Sequence, residues 1–352
     1  MSPPIKYTQH PAFEEYSNII DVRSPGEFAD DHIPGAVNLY VLNDEERAQI
    51  GTIYKQESPF KAKKLGASLV SANIAHWTKT FFLEQDKDYR PLLYCWRGGQ
   101  RSLSLATVLA RIGWETTLIE GGYKHYRSGV RDTLESLCPR LNLQIIAGLT
   151  GTAKTLILKK LAEEHEQVID LEGLANHRGS LLGLLPGHSQ PSQKYFESLL
   201  AHQIQGFSSE SVVWIESESN KIGKLHCPAP LWEKMKRADA IEIKAPIHAR
   251  VDYLLKEYHE FTENSGELKH RLSLLTERHG KNIVNNWFEL IDQNNWTTFV
   301  TRLLEDHYDP AYQRSIKTNE RKIRRSIPLN DLGMDQLDKI ITNLKGTNTY
   351  NV

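Results

Sequence analysis

Leu143-Gln144-Ile145-Ile146-Ala147-Gly148-Leu149-Thr150-Gly151-Thr152-Ala153-Lys154-Thr155 runs from a short apolar strand through a Gly/Thr turn into a helix. Ile157, Leu158, Leu161 and Ala162 then recur at the spacing of one buried helical face. Strand, turn and helix in that order leave unpaired amides where the helix begins, with Lys154 and Thr155 beside them. This is the arrangement of a P-loop. Its amides wrap phosphate oxygens, the lysine neutralises them, and the hydroxyl can serve Mg²⁺. The usual pattern, G-x-x-x-x-G-K-[ST], has glycine where this chain has Ala153. A left-handed backbone there costs a non-glycine residue about 1–2 kcal/mol. Gly148, Gly151, Thr152, Ala153, Lys154 and Thr155 are the expected diphosphate-binding residues.

Further strands are predicted downstream at Val168–Leu171, Val212–Ile215 and Ala240–Ala245. The second ends in Glu216-Ser217-Glu218, where Glu216 and Glu218 can orient a metal or a water, act as acid and base, or simply be the solvated end of a strand. His177 and Arg178, after a strand end, are read as diphosphate or ribose contacts. From about His248 the pattern changes to charged helices over Arg250–Tyr258, Gly266–His279, Val284–Leu290 and Trp296–Leu304. Arg314, Lys317, Arg321, Lys322, Arg324 and Arg325 follow against one acid, Glu320, as a candidate phosphate-tracking surface. Trp287 and Trp296 are assigned to the core rather than to base stacking.

Upstream, Ile19–Val22, Gly35–Leu39, Leu92–Cys95 and Thr116–Ile119 read as buried strands. Leu105, Val108, Leu109 and Ile112 share a helix face that Gly113 ends. The fold class is α/β. It comprises an N-terminal parallel sheet with helices over 1–137, a P-loop NTPase-like α/β domain over 138–247 and a helical C-terminal part over 248–352, packed on the P-loop domain.

The first domain carries Tyr94-Cys95-Trp96-Arg97-Gly98-Gly99-Gln100-Arg101-Ser102, a cysteine at a strand end running into a helix. Amides at a helix start favour an anion, and the same field favours sulfur in its nucleophilic thiolate form. Gly98 and Gly99 let the backbone curl, while Arg97 and Arg101 add forks suited to oxyanions. Cys95 is the expected catalytic residue, with Arg97, Gly98, Gly99, Gln100 and Arg101 as its anion loop.

The 352 residues carry 43 Lys+Arg against 44 Asp+Glu, a net charge of −1, so a nucleic-acid contact must come from a local patch. No stretch reaches the roughly 18 apolar residues of a membrane span. The three cysteines, Cys95, Cys138 and Cys227, have neither zinc-site spacing nor an even disulfide framework. No metal centre is expected, and a reducing cytoplasm is the simplest setting.

Asp21-Val22-Arg23-Ser24-Pro25-Gly26-Glu27-Phe28 and His32-Ile33-Pro34-Gly35-Ala36-Val37-Asn38, with the Cys95 loop, closely resemble a rhodanese domain. The resemblance makes Asp21 and Arg23 scaffold. Common rhodanese loops run Cys-x4-Arg, whereas this one is Cys-x5-Arg, a wider cradle that implies an anion bulkier than a persulfide sulfur. Tyr94 stands where related phosphatases carry a histidine, which disfavours a phosphatase.

A rhodanese domain joined to a P-loop domain resembles the tRNA 2-selenouridine synthase family. Further support comes from Glu120-Gly121-Gly122-Tyr123-Lys124, Asp170-Leu171-Glu172-Gly173-Leu174-Ala175-Asn176-His177-Arg178-Gly179-Ser180, Pro191-Ser192-Gln193-Lys194-Tyr195-Phe196-Glu197, Glu216-Ser217-Glu218-Ser219, Ile222-Gly223 and His307-Tyr308-Asp309-Pro310-Ala311-Tyr312. Two positions depart from the family pattern: Ala153, and Asn220 where an arginine is expected, with Lys221 beside it. The resemblance implies a transferase acting on the wobble 2-thiouridine in the anticodon of tRNA. Geranyl diphosphate would S-geranylate the base at the P-loop, and selenophosphate would then deliver selenium at Cys95, the expected selenium-bearing thiol. No tightly bound cofactor is expected, with Mg²⁺ an optional aid, and with tRNA as the substrate the basic run Arg314–Arg325 is its candidate surface. Two other readings compete. One is a rhodanese-type sulfurtransferase with a regulatory nucleotide-binding domain, and the other a non-catalytic RNA-binding adaptor with a degenerate P-loop.

Overall fold

The computed structural model describes residues 3–179, 189–217, 219–259, 262, 265–318 and 322–346, excepting the side chains of 315–318 and 346. The chain forms two compact units, Met1–Thr133 with Pro191–His202, and Leu134–Gln190 with Gln203–Val352.

The first unit is built on five parallel strands: β1 (Lys6–Thr8), β2 (Asn18–Asp21), β3 (Val37–Asn38), β4 (Pro91–Tyr94) and β5 (Thr117–Ile119). Their order in the sheet is β1-β5-β4-β2-β3. All four residues of β4 are buried, as a strand covered on both faces requires. Helix α1 (Pro25–Asp30) follows β2, and α2 (Asp44–Gln56) and α3 (Pro59–Thr80) form a pair before β4. Helix α4 (Gln100–Ile112) buries Leu105, Ala106, Leu109 and Ala110 and stops at Gly113, whose φ of 123° few other residues adopt. Ile112, read from the periodicity as part of that face, is half exposed at the last turn, where the chain leaves the core. Helix α5 (Gly122–Leu137) follows β5.

Asp21 and Arg23 hold this unit together from inside. The Arg23 Nε lies 3.0 Å from both carboxylate oxygens of Asp21, and Nη2 donates to Asp21 Oδ2 and to the Asp31 carbonyl at 2.6 Å each. Its guanidinium sits 3.9 Å from the Tyr123 ring centroid. Burial opposes the charge on Arg23, and the hydrogen bond and field of Asp21 more than restore it. Asp31 is also fully buried and accepts from Tyr123 Oη and Ser198 Oγ at 2.8 Å each; burial pushes its carboxyl above the usual range.

Ser198 belongs to helix α8 (Gln193–Gln205), whose first ten residues pack in the first unit although the neighbouring sequence builds the second. Lys194 pairs with Asp30 at 2.6 Å, Tyr195 stacks 4.0 Å from the His32 ring, Ser192 caps the Asp30 carbonyl and Glu197 takes Arg127.

The second unit has its own parallel sheet of β6 (Asn142–Ala147), β7 (Gln167–Ile169), β8 (Val212–Glu216), β11 (Ala240–Lys244) and β12 (Ile323–Pro328). The order is β12-β11-β6-β8-β7. A short antiparallel pair, β9 (Lys221–Ile222) with β10 (Leu225–His226), follows β8. Helices α6 (Lys154–Glu163), α7 (Leu171–Leu174) and α9 (Ala229–Arg237) lie between these strands in sequence. The C-terminal part is helical, over α10 (Ile247–Glu257), α11 (Ser265–Ser273), α12 (Thr276–His279), α13 (Lys281–Asp292), α14 (Trp296–Leu303), α15 (Asp309–Thr318) and α16 (Met334–Gly346).

It departs from the sequence reading at β12. Of that strand only Ile327 is buried, so neither an alternating nor a continuous apolar pattern marks it. Leu337, Ile340, Ile341 and Leu344 of α16 close the core under β6, β8 and β11 together with Ile157, Leu158 and Leu161 of α6. Trp287 is fully buried in a separate small core with Leu268, Leu272 and Phe299, and Trp296 packs at its margin. Trp287 is therefore a core residue, and Trp296 is half-buried against the edge of that core.

Removing one member of a buried ion pair leaves the other uncompensated. Arg23→Ala is expected to destabilise the first unit by about 3–5 kcal/mol, read as a drop in its denaturant midpoint. An unchanged midpoint would show that the Asp21–Arg23 pair is not what holds the β2 end in place.

Candidate functional site

The sequence motifs converge on two loops, one in each unit, both at the carboxyl end of a parallel strand where open α/β sheets place their ligands. In the first, Cys95 directly follows β4 and α4 begins five residues later. The Gly99 amide donates to Cys95 Sγ at 3.2 Å, and the buried Ser102 hydroxyl donates to the same sulfur at 3.3 Å. The sulfur thus lies where an anion would be met by helix-start donors.

The loop is held from behind by the start of α5. The amides of Tyr123 and Lys124 donate to the carbonyls of Cys95 and Trp96 at 2.8 and 3.0 Å. A Cβ on Gly122 would fall 2.2 Å from the Cys95 carbonyl oxygen and 2.6 Å from the Gly98 nitrogen. Gly98 itself has φ 66°, and its own Cβ would meet the Ile119 carbonyl at 2.8 Å. The Glu120-Gly121-Gly122 motif is thereby explained as a backing that only glycine permits.

Arg97 and Gln100 are exposed at the rim of the loop. Arg101 instead reaches Glu27 of α1, Nη1 to Oε2 at 2.7 Å and Nη2 to Oε1 at 3.4 Å. Burial alone pushes the Glu27 carboxyl up, but the Arg101 hydrogen bond and charge, helped by Ser24 and Arg47, bring it below the usual range. Ser102 was missed in the sequence; its signal is a hydroxyl in the first turn of the helix, seven positions after the cysteine.

In the second unit the P-loop links β6 to α6, as read. Ala153 has φ 59° and ψ 26°, the left-handed conformation that the missing glycine would take freely. Gly148 and Gly151 also have positive φ; a Cβ on Gly148 would lie 2.7 Å from the Ile243 carbonyl. Lys154 Nζ donates to the carbonyls of Gly148 and Leu149 at 2.9 and 3.3 Å. The Thr152 hydroxyl donates to the Leu149 carbonyl at 2.8 Å. Thr155 Oγ1 lies 3.1 Å from Glu172 Oε2 and 3.3 Å from Glu216 Oε2. Glu216 is buried and also accepts from the Glu172 amide at 3.3 Å.

The His307-Tyr308-Asp309-Pro310-Ala311-Tyr312 motif braces this loop. Tyr312 Oη accepts from the Gly148 amide at 2.8 Å. Asp309 takes buried Arg250 bidentately at 2.9 and 2.7 Å, and Arg250 Nη1 also donates to the Thr150 carbonyl at 3.1 Å. A π-helical turn over Leu304–Tyr308 sets the phase that brings Asp309 and Tyr312 to the loop.

His177 is buried, and burial, with the charge of Arg271, holds its imidazole below the usual range. Its amide donates to the Glu172 carbonyl at 3.0 Å, while the Arg178 guanidinium lies 4.6 Å from the Tyr258 ring centroid. Glu172, Arg250, Asp309 and Tyr312 were not singled out individually, although all but Arg250 lie in quoted motifs.

Glu218 and Arg321 lie outside the described residues, as does the Lys317 side chain. Arg314 is exposed on α15, Lys322 is exposed ahead of β12, and Arg324 and Arg325 lie on β12, where neighbours face opposite sides. Arg324 pairs with Asp239 at 2.9 Å. The basic run is thus divided between a helix and a strand. Among the described residues no group of three or more His, Cys, Asp and Glu side chains forms a metal cluster. No helix there is long and apolar enough to cross a membrane.

Fold and loops together define a rhodanese-like domain followed by a P-loop domain. Residues 8–128 match the rhodanese-like domain family, and residues 141–328 match the family described as the tRNA 2-selenouridine synthase AAA domain. The chain is 35% identical over 342 residues to a tRNA 2-selenouridine synthase of a Sulfurovum species, covering 87% of this chain and 90% of that one. It is 39% identical over 249 residues to the enzyme of that name from Nitrosomonas europaea, covering 68% and 63% of the two chains. A third relative of that name, from Alcanivorax borkumensis, is 38% identical over 244 residues, covering 68% and 66%. The chain belongs to the tRNA 2-selenouridine synthase family, whose members are group-transferring enzymes.

Ala153→Gly removes the left-handed penalty and leaves the loop backbone unchanged. It is expected to stabilise the second unit by about 1 kcal/mol, raising its thermal midpoint by about 2–4 °C. A lowered midpoint would show that the alanine methyl contributes more by packing than the backbone loses.

Proposed function

We propose that the protein replaces the 2-thio sulfur of the wobble uridine in tRNA by selenium in two steps. Geranyl diphosphate serves the first at the P-loop and selenophosphate the second at the Cys95 loop. The observation that carries this reading is the presence, in one chain of this family, of two differently built anion loops. One is centred on a sulfur and the other on a lysine.

Sulfur of a 2-thiouridine is a poor leaving group as it stands. In the first step it attacks C1 of the geranyl group, the C1–O bond breaks, and diphosphate departs with the bonding pair. The base loses its N3 proton. Lys154 and the loop amides stabilise the charge that grows on the departing diphosphate. Thr155, Glu172 and Glu216 are the residues that would hold Mg²⁺, a hydroxyl and two carboxylates being hard oxygen donors. That ion would neutralise the same charge.

In the second step selenium attacks C2 of the base and the C2–S bond breaks, releasing geranyl thiol. Water then cleaves the selenium–phosphorus bond to leave phosphate and the selenated base. The Gly99 amide and the exposed Arg97 suit the phosphate of the donor, and Cys95 at the centre of the loop is the residue that positions its selenium for attack on C2. Asp21, Arg23 and Glu27 act through the scaffold. The exposed Arg314, Lys322 and Arg325 are candidate contacts for tRNA phosphates.

Lys154→Ala is expected to lower geranylation of 2-thiouridine tRNA by about 10²–10³-fold. Cys95→Ser should block selenation and let geranylated tRNA accumulate. Mass spectrometry of the tRNA nucleosides, after incubation with geranyl diphosphate and then selenophosphate, separates the two steps. Failure of both variants at the same step would refute this division of labour.

A further inference from the structure

Trp96 is the only exposed tryptophan among the described residues, with 39% of its surface open to water. It directly follows Cys95, and consecutive Cα atoms lie about 3.8 Å apart. One exposed aromatic ring is ordinary on a protein surface. The way this one is held is not. Its carbonyl accepts from the Lys124 amide at 3.0 Å, and the Cys95 carbonyl before it accepts from the Tyr123 amide. Its indole rests against the Tyr123 ring, with centroids 5.2 Å apart and planes inclined by 32°. Tyr123 is buried and fixed in turn. The Arg23 guanidinium lies 3.9 Å from its ring centroid, and its hydroxyl donates to Asp31 at 2.8 Å. Arg97, the next residue, and Lys124, whose amide the Trp96 carbonyl holds, are both exposed.

We infer that Trp96 is the platform on which the wobble base of tRNA stacks while it stands at the Cys95 loop. The inference rests on the second step proposed above taking place there, and adds what holds the base. An aromatic ring between exposed cations is a general means of holding single-stranded nucleic acid, the ring taking a base face and the cations the backbone phosphates. A selenophosphate donor has no flat apolar face, so an exposed indole adds nothing to its binding. A base gains from it, and its polar edges stay outside the stacked contact, free to keep their hydrogen bonds.

The chemistry also demands a one-sided platform. Selenium approaches C2 from above the plane of the pyrimidine, so a base clasped between two rings could not be attacked. One indole covers one face and leaves the other to the donor. With its backing fixed by Arg23 and Asp31 through Tyr123, the indole is in place before the base arrives, and little ordering is left to be done on binding.

The test measures binding to the full chain of three anticodon stem-loops, carrying 2-thiouridine, its S-geranyl derivative or an abasic site at the wobble position. Trp96→Ala is expected to weaken both base-bearing loops about tenfold, the scale of one base–aromatic stack, and to leave the abasic loop unchanged. Trp96→Phe, which keeps a ring, should restore binding to within about threefold of the unaltered protein. In selenation of geranylated tRNA, Trp96→Ala should raise KM about tenfold with kcat within about twofold. Weakening of all three loops alike, weakening of none, or weakening confined to the S-geranyl loop would overturn the platform, as would a fall in kcat with KM unchanged. Each of these leaves the two-step reading standing so long as Cys95→Ser blocks selenation. If Cys95→Ser selenates like the unaltered protein, the second step does not belong to this loop and both readings fall.

Discussion

Backbone pressed against backbone is what gives the Cys95 loop its shape. At Gly122 a side chain would collide with the carbonyl of Cys95 and the nitrogen of Gly98 at once. That approach lets the first amides of α5 take the carbonyls of Cys95 and Trp96. With its carbonyls held behind, the loop is free to turn N–H groups forward, and the amide of Gly99 meets the sulfur. A helix start offers donors without adding a mobile side chain, so the cradle is ready before any anion arrives. The arginines come second. Arg101 is tied to Glu27, and the pair braces α4 against α1 at the mouth of the loop.

The P-loop reaches a similar end by other means. Its backing is made of side chains, from Tyr312, Asp309 and Arg250, instead of a second glycine turn. Arg250 is buried, so its bidentate partner Asp309 is a condition of its being there. This bracing bears on Ala153. A residue strained in the left-handed region persists where the surroundings over-determine the conformation, and here the loop is held at Gly148, Thr150 and Thr152.

Buried charge elsewhere serves placement. Asp21, Arg23 and Asp31 form a polar knot under β2, joined by Tyr123 from α5 and Ser198 from α8. Asp21 and Arg23 satisfy each other locally, while Asp31 takes its partners from α5 and α8, so the knot joins the end of α1 to both in a way apolar packing alone would not specify. The Pro191–Glu197 motif thus has a structural meaning within the first unit, besides any part in chemistry.

Both candidate loops were legible in the chain because each is local. Cys95 with its glycines, and Lys154 with its strand and turn, are contiguous motifs whose spacing dictates backbone form. Even the left-handed Ala153 follows from where it stands between Gly151 and Lys154. The inner strands of both sheets were legible for the same reason, since burial on both faces leaves continuous apolar runs, whereas the largely exposed β1 and the short pair β9–β10 carry no such run and were not. What only the tertiary structure decided depends on contacts across long stretches of chain. Such contacts are the backing of Cys95 by Gly122, the bracing of Gly148 by Tyr312, the edge strand β12, and the packing of residues 191–202 with the first unit. The setting of Trp96 belongs with these, because Tyr123 and Lys124, which hold it, come from α5. Periodicity records which face of an element is buried, but it carries no information about which distant face will cover it.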